Sequence, residues 1–507
     1  MRNAKYVLGM LFILSWCHHY ARATFQLRVM KVKMSNDTHS GMDGGMFGKR
    51  WFGYGGDFEM TICSNSVSDE HKNCCKTGEL NTADNNWEKG ETNYFIGHQL
   101  NGCQDFKISS SSMTTLKVQH YGSDGGKIKQ VEIRGSLRHK NELLCIIDRK
   151  LDNSESVTVN CAPKEENKEL VAIEHSENVC MGKKEFCNVK INNFSFAGSH
   201  NSGTGMSGSI KPVECLFKNH DLTIQEQLDF GIRFFDTDVA YSYSLPGCNG
   251  LEAVHGKSGI YYCFGAVKHM FQQVIDWANA NPEEVILIHF GSLYKGRTTL
   301  NPLLREIKDS FLNTYTTNTS VRLNKVFQET GKWPTLGEAI AVNERVFIFI
   351  VEKSDENATL LDSNEEATTD YIKVFKVDDN DAGKPLPLLK KGWASFASTY
   401  GSGKIGSNCE NVVENVGNLC KQLSADFVKV ATYGTPWKSM NLVFRKSNIC
   451  IDTYAKMCNV RMQDIIDECN KHKNILNIIL SDFPNYPSSS KRMLPEIVDE
   501  LNSFRAT

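Results

Sequence analysis

The stretch FSFAGSHNSGTG, from Phe194 to Gly205, runs a short apolar strand pattern into a histidine, an asparagine and a cluster of glycine, serine and threonine. A strand that delivers His200 and Asn201 to the lip of a small-residue loop fits a fold that gathers reactive side chains where strands end. The rhythm repeats downstream, with apolar strand candidates at 193–197, 232–239, 253–255, 285–290, 346–351, 394–398, 427–431 and 475–482. Between them, Phe264, Val267, Phe271, Val274, Ile275 and Ala278 share one helical face, as do Met462, Ile465, Ile466 and Cys469. Strands that are apolar throughout and alternate with helices imply a parallel sheet covered on both faces. About eight such units predict an α/β fold of the TIM (β/α)8 type over residues 190–507. No G-x-G-x-x-G follows a strand, so a dinucleotide site is not expected.

Upstream of residue 165 the pattern changes. Runs such as Phe25–Val29, Phe58–Ile62 and Lys129–Ile133 alternate apolar and polar residues between Gly, Asn, Asp and Ser clusters. That alternation predicts an antiparallel β-sandwich over residues 24–162, joined by a charged, weakly apolar linker at 163–189. Residues 1–23 have the features of a secretory signal: Arg2 and Lys5, an apolar run from Tyr6 to Trp16, and Ala21-Arg22-Ala23 as the cleavage site. That run is shorter than the roughly 18–20 residues a membrane span requires, and no later run is long enough either. Of 17 cysteines, Cys17 leaves with the leader, and the remaining even number suits disulfides in an oxidising compartment better than a zinc site. Six of them (Cys63, Cys74, Cys75, Cys103, Cys145, Cys161) fall in the amino-terminal region. Sequons at Asn36, Asn193, Asn318 and Asn357 are glycosylation candidates in a secreted protein. Lys and Arg number 57 against 59 Asp and Glu, a balance that gives nucleic acid no reason to bind.

At the predicted strand ends stand His200 and Asn201, Asp236 and Asp238, His255, and Asp482. Two imidazoles flanking a scissile bond can serve as base and acid near neutral pH. Asp236 and Asp238, two apart on one strand, point the same way. With the Asn201 oxygen they make a hard site suited to Ca2+ or Mg2+, whose charge would neutralise a phosphate. Acid, base and oxygen site together point to phosphodiester cleavage. His220, His269 and His289 have no such sequence partners and are expected to be structural.

These residues resemble the X-domain of phosphatidylinositol-specific phospholipase C. Gly198–Ser202 resembles the first catalytic motif of that family, Gln227–Asp236 its second strand and Val254–Gly256 its second histidine. Asn281–Ile288 and Trp333–Glu338 resemble further segments. The resemblance implies a distorted TIM barrel. In it, His200 takes the proton from an inositol 2-hydroxyl, His255 protonates the leaving diacylglycerol oxygen, and Asp482 orients the first histidine. It also implies Arg233 as a substrate contact, Asn201, Asp236 and Asp238 as metal ligands of the Ca2+-dependent members, and a phospholipid or glycolipid substrate at a membrane surface. A further glutamate of the animal enzymes would fall near Phe290. The amino-terminal region faintly resembles lipoxygenase-type (PLAT) or C2-like domains, which implies docking to a membrane or a protein. Two alternatives stay open: a phospholipase D or sphingomyelinase D-like enzyme with a similar His, acidic-x-Asp, His layout, and a catalytically weak lipid-binding barrel.

Overall fold

The computed structural model describes residues 24–35, 57–65, 72–80, 92–100, 103, 106–109, 114–121, 126–135, 142–151 and 154–163 of the amino-terminal region. Downstream it describes 179–206, 217–243, 248–257, 260–294, 297–312, 320–324, 333–353, 372–377, 396–400, 427–432, 451, 455, 458–471, 476–486 and 492–506. The expected signal segment and the sequons at Asn36, Asn318 and Asn357 lie outside the described residues, whereas Asn193 is described and exposed. The chain forms two compact units, Met1–His175 and Ser176–Thr507.

The amino-terminal unit carries β1 (Thr24–Gln26), β2 (Val29–Met34), β3 (Asp57–Asn65), β4 (Lys72–Leu80), β5 (Thr92–Ile96), β6 (Lys107–Ser109), β7 (Thr114–Tyr121), β8 (Gly126–Arg134), β9 (Glu142–Leu151) and β10 (Ser156–Pro163). Eight of these pair along one continuous path, β4-β3-β7-β10-β9-β8-β2-β5, and β1 pairs with β6. Every pairing is antiparallel. Along β7, buried positions alternate with more open ones, and Leu116 and Val118 join Phe58, Met60, Ile62, Val131 and Ile133 in one core. All six cysteines pair within the unit, as Cys63–Cys74, Cys75–Cys103 and Cys145–Cys161. The adjacent Cys74 and Cys75 take different partners because successive residues of a strand face opposite ways.

The second unit carries β11 (Phe196–Ser199), β12 (Phe234–Ser242), β13 (Gly250–Lys257), β14 (Ile260–Ala266), β15 (Ile286–Tyr294), β16 (Val346–Lys353), β17 (Ile372–Val377), β18 (Phe396–Tyr400), β19 (Phe427–Thr432) and β20 (Ile478–Ser481). Its helices include α1 (Ile224–Phe230), α2 (Val267–Ala280), α3 (Arg297–Ile307), α4 (Leu336–Ala341), α5 (Met462–Asn470) and α6 (Leu494–Ala506). Eight strands run parallel in the order β17-β16-β15-β12-β11-β20-β19-β18. The last strand, β20, returns to lie beside the first, β11, so the order is that of a ring interrupted between β17 and β18. The unit is therefore a mixed α/β structure built on a parallel sheet.

Two expectations need correction. The strand predicted at 253–255 is not a member of the parallel path: β13 pairs antiparallel with both β12 and β14. The missing parallel member is β17, whose sequence IKVFKV alternates lysine with apolar residues and so lacks the unbroken apolar run that marked the others. Phe264 belongs to β14, and the amphipathic helix begins at Val267.

Helix starts are set locally. Thr223 with Glu226, and Thr335 with Glu338, form reciprocal capping boxes at the first turns of α1 and α4. Gly231, at φ 104°, closes α1 in the left-handed region and turns the chain into β12. The interior is apolar, with Phe194, Phe196, Phe234, Leu287, Phe347, Phe349, Ile478 and Leu480 packed together. Cys180–Cys187 and Cys248–Cys263 add two disulfides to this unit.

Candidate active site

The first site residue follows β11 directly. His200 donates its backbone N–H to the Ser481 carbonyl on β20 (3.0 Å), and Asn201 turns the chain at φ 50°, a left-handed conformation that asparagine tolerates better than most residues. The small residues that follow are not a roomy loop. Ser202, Gly203, Thr204 and Gly205 are all buried in a 3-10 turn. Ser199 Oγ lies 2.7 Å from Ser202 Oγ and donates to Gln227 Oε1 (2.6 Å), while Gln227 Nε2 donates to the carbonyls of Ser202 (3.0 Å) and Leu222 (2.8 Å). Gly205 is required by contact: a Cβ there would meet the Leu222 carbonyl oxygen at 1.8 Å. Smallness thus serves tight wiring of the turn to α1.

β20 brings the carboxylate. Asp482, buried just past the strand end, accepts at Oδ1 from His200 Nδ1 at 2.8 Å and from Asn219 Nδ2 at 2.7 Å. Burial alone would lower the His200 pKa, but the Asp482 charge and hydrogen bond, with Asp236 and Asp238 beyond, raise it above its ordinary value. The Asn201 amide Nδ2 lies 3.1 Å from His200 Nε2.

His255 arrives on β13, next to Val254, which is paired with Asp238 of β12. Its Nδ1 donates to the Phe217 carbonyl at 2.6 Å, and its ring centroid lies 6.1 Å from that of His200, nearly edge-on at 77°. Burial and then the neighbouring His200 charge push its pKa down to about 4. The two imidazoles are therefore unlike: one is backed by a carboxylate, the other by a neutral carbonyl.

The two aspartates of β12 converge with a third histidine. His289 Nδ1 hydrogen-bonds Asp236 Oδ1, from the position directly opposite Asp236 on β15. A Cβ built on Gly291 would lie 3.1 Å from Asp236 Oδ1, 3.4 Å from Asp238 Oδ1 and 3.4 Å from His289 Cε1, so that glycine keeps the space between the two carboxylates open. Sequence reasoning set His289 aside as structural and put the further glutamate of the animal enzymes near Phe290. Phe290 instead packs against Phe271 of α2 at 6.1 Å, on the helix-facing side of the strand.

The expected Ca2+ donor set is divided by these contacts. One oxygen of Asp236 is engaged by His289, and the Asn201 amide stands beside His200. Among the described residues no three His, Cys, Asp or Glu side chains form a metal-holding group. The Asn201 contact is made by its Nδ2 and not by the oxygen that would ligate a cation, so of the three expected ligands it is Asp236 whose donor oxygen is shared with a histidine.

Arg233, expected among the substrate contacts, sits at the opposite end of β12 and is fully buried. Its Nε donates to Glu284 Oε2 at 2.6 Å, its Nη1 donates to the carbonyls of Leu228 (2.7 Å) and Ile232 (2.8 Å), and its guanidinium lies 4.3 Å from the Trp277 ring centre. A guanidinium so enclosed holds α1, α2 and the strand starts together and is out of reach of a ligand.

Sequence reasoning also missed the segment Phe217–His220. Its contacts are made by a backbone carbonyl and by an asparagine 263 residues from its carboxylate partner, neither of which leaves a local motif.

Part of the chain is similar to known proteins. A family model described as PI-PLC X 1 matches residues 186–373. A curated relative, PI-PLC X domain-containing protein 1 of Arthroderma benhamiae, is 30% identical over 181 residues, which is 35% of this chain and 53% of the relative. The chain thus spans about half the length of that relative. Among solved structures, a mutant phosphatidylinositol-specific phospholipase C from Staphylococcus aureus aligns with a TM-score of 0.42 at 14% identity, covering 62% of this chain and 93% of that one. The phosphatidylinositol-specific phospholipase C from Listeria monocytogenes aligns with a TM-score of 0.37 at 14% identity, covering 62% and 94%. The segment matched by the PI-PLC X family model holds His200, His255 and the Asp236–Asp238 pair.

Proposed function

We propose that this protein is a secreted phospholipase C-like phosphodiesterase that cleaves a phosphatidylinositol-type lipid or glycolipid through a cyclic phosphate. The observation that carries the proposal is the pair of unlike imidazoles 6.1 Å apart, His200 backed by Asp482 and His255 backed by the Phe217 carbonyl. His200 Nε2 takes a proton from a substrate hydroxyl, and the imidazolium so formed is held by the Asp482 carboxylate. The freed oxygen attacks phosphorus and closes a cyclic phosphodiester. His255, with its Nδ1 proton committed to Phe217, delivers a proton from Nε2 to the departing alkoxide. The binding of an anionic phosphate next to His255 opposes the depression of its pKa and favours its protonated form.

The parallel strand order, with β20 beside β11, supports a distorted TIM-type barrel in which these groups share the carboxyl-end rim. Described disulfides support an oxidising, extracellular setting, and no described helix is long and apolar enough to cross a membrane. The amino-terminal unit, 24–162, is proposed as a sandwich that docks the enzyme at its substrate surface.

The test is incubation of the purified, oxidised chain with phosphatidylinositol vesicles and product identification by 31P NMR. A cyclic inositol phosphate is expected. Phosphatidic acid would instead favour a phospholipase D, and no turnover on any phosphodiester lipid would favour a binding protein.

A further inference from the structure

The segment Phe217–His220 touches both catalytic candidates and the carboxylate that backs His200. The Phe217 carbonyl accepts from His255 Nδ1 at 2.6 Å. Asn219 Nδ2 donates to Asp482 Oδ1 at 2.7 Å, onto the same oxygen that receives His200 Nδ1. His220 Nε2 hydrogen-bonds the backbone carbonyl of His200. The segment is itself anchored at two points, for the Asn219 N–H donates to Thr204 Oγ1 at 3.0 Å and the Asn219 carbonyl accepts from Phe483 N at 2.9 Å. Asn219 and His220 are each 1% exposed.

We propose that Phe217–His220 is a single positioning clamp for both imidazoles, with Asn219 as its operative side chain. A carboxylate that meets His200 alone can rotate about its last bond, whereas one that also accepts from a fixed amide presents Oδ1 to His200 Nδ1 in one orientation. A few residues along the same segment, a carbonyl oxygen does the equivalent for His255, placing the proton of the neutral ring on Nδ1. Both Nε2 atoms are then the ones available for chemistry. Asn219 touches no reacting atom in this scheme and acts through Asp482. Because the clamp binds consecutive residues to the loops after β11 and β20 and to β13, it ties the two imidazoles to each other in space.

The inference rests on the proposed acid–base function for its kinetic consequence but not for its geometry, and the experiment separates the two. Asn219→Leu and Asn219→Asp are made in the full, oxidised chain. The first removes the donor and keeps an apolar body of similar size; the second keeps the shape and replaces the donor with an acceptor. Imidazole 15N–1H NMR without substrate reads the tautomers. In the wild type, both His200 and His255 carry an exchange-protected proton on Nδ1. In either folded variant the protected His200 signal is expected to be lost and that of His255 kept. On phosphatidylinositol vesicles, kcat is expected to fall about 10–100-fold with KM within about twofold, the size typical of a lost orienting partner. If one variant does not fold, the other carries the test. An unchanged His200 signal in a folded variant would overturn the clamp whatever the activity. A wild type without turnover would overturn the proposed function and leave the NMR result to judge the clamp.

Discussion

The two histidine corners of the site are built from different materials. The His200 corner joins residues 282 apart in the chain and is electrostatically strong, since β11 and β20 are paired neighbours and their ends bring an imidazole and a buried carboxylate within 2.8 Å. The His255 corner stands on an antiparallel hairpin, β13–β14, held by the Cys248–Cys263 disulfide and by one neutral carbonyl. The difference teaches that the two rings are prepared for different charge states: a carboxylate stabilises an imidazolium after proton uptake, while a carbonyl fixes a tautomer without storing charge.

The comparison breaks most completely if either ring is removed. His200→Ala and His255→Ala are each expected to cost about 10²–10⁴-fold in kcat, measured as release of water-soluble phosphate from the lipid. Asp482→Asn makes the His200 corner resemble the His255 corner. Loss of about 10–100-fold in kcat is expected. The His200 pKa should also fall, because the charge that raised it is gone, and NMR titration reads this directly.

How far the two corners could be seen in advance differs as well. His200, Asp236 and Asp482 are legible because each ends or lies in an apolar run that had to be a buried strand. His255 is legible by type, but its strand was assigned to the parallel sheet because a short apolar run carries no sign of its pairing direction. The His289–Asp236 contact depends on the register of β15 against β12, which no local pattern encodes. Arg233 was misplaced for a related reason. It lies in the same apolar strand segment as Asp236, yet only the packed structure shows that this end of the strand meets Glu284 and Trp277.

Arg233→Met offers a control distant from both corners. Stranding Glu284 in the interior is expected to lower unfolding free energy by about 3–5 kcal/mol in denaturant titration, with kcat of the folded fraction close to wild type. A selective loss of kcat with stability intact would return Arg233 to the site.

A subtler consequence concerns pH. In the proposed mechanism the productive form has His200 neutral and His255 protonated, while burial and the His200 charge push the His255 pKa down to about 4 and the Asp482 charge raises that of His200. The profile of kcat/KM should therefore rise with pH through about 4, stay flat, and fall only as pH passes the lower of any further essential groups or the raised pKa of His200. In Asp482→Asn the alkaline limb should move to lower pH. The smallest expected effect is that of chelation: because His289 already engages one oxygen of Asp236 and the acid–base pair needs no cation to transfer its protons, EDTA should change the rate by less than about twofold. Strong chelator sensitivity restored by Ca2+ would show that the Asp236–Asp238 site rearranges to take a cation.

The central claim is that His200 and His255 do different work, and leaving-group chemistry tests it most directly. His200→Ala and His255→Ala are compared on phosphatidylinositol and on an inositol phosphodiester whose leaving group is a nitrophenolate, which departs without a proton. The account predicts that the activated substrate restores most of the rate of His255→Ala and little of that of His200→Ala. Equal rescue of both variants, or rescue of neither, would contradict the division of labour between the two corners.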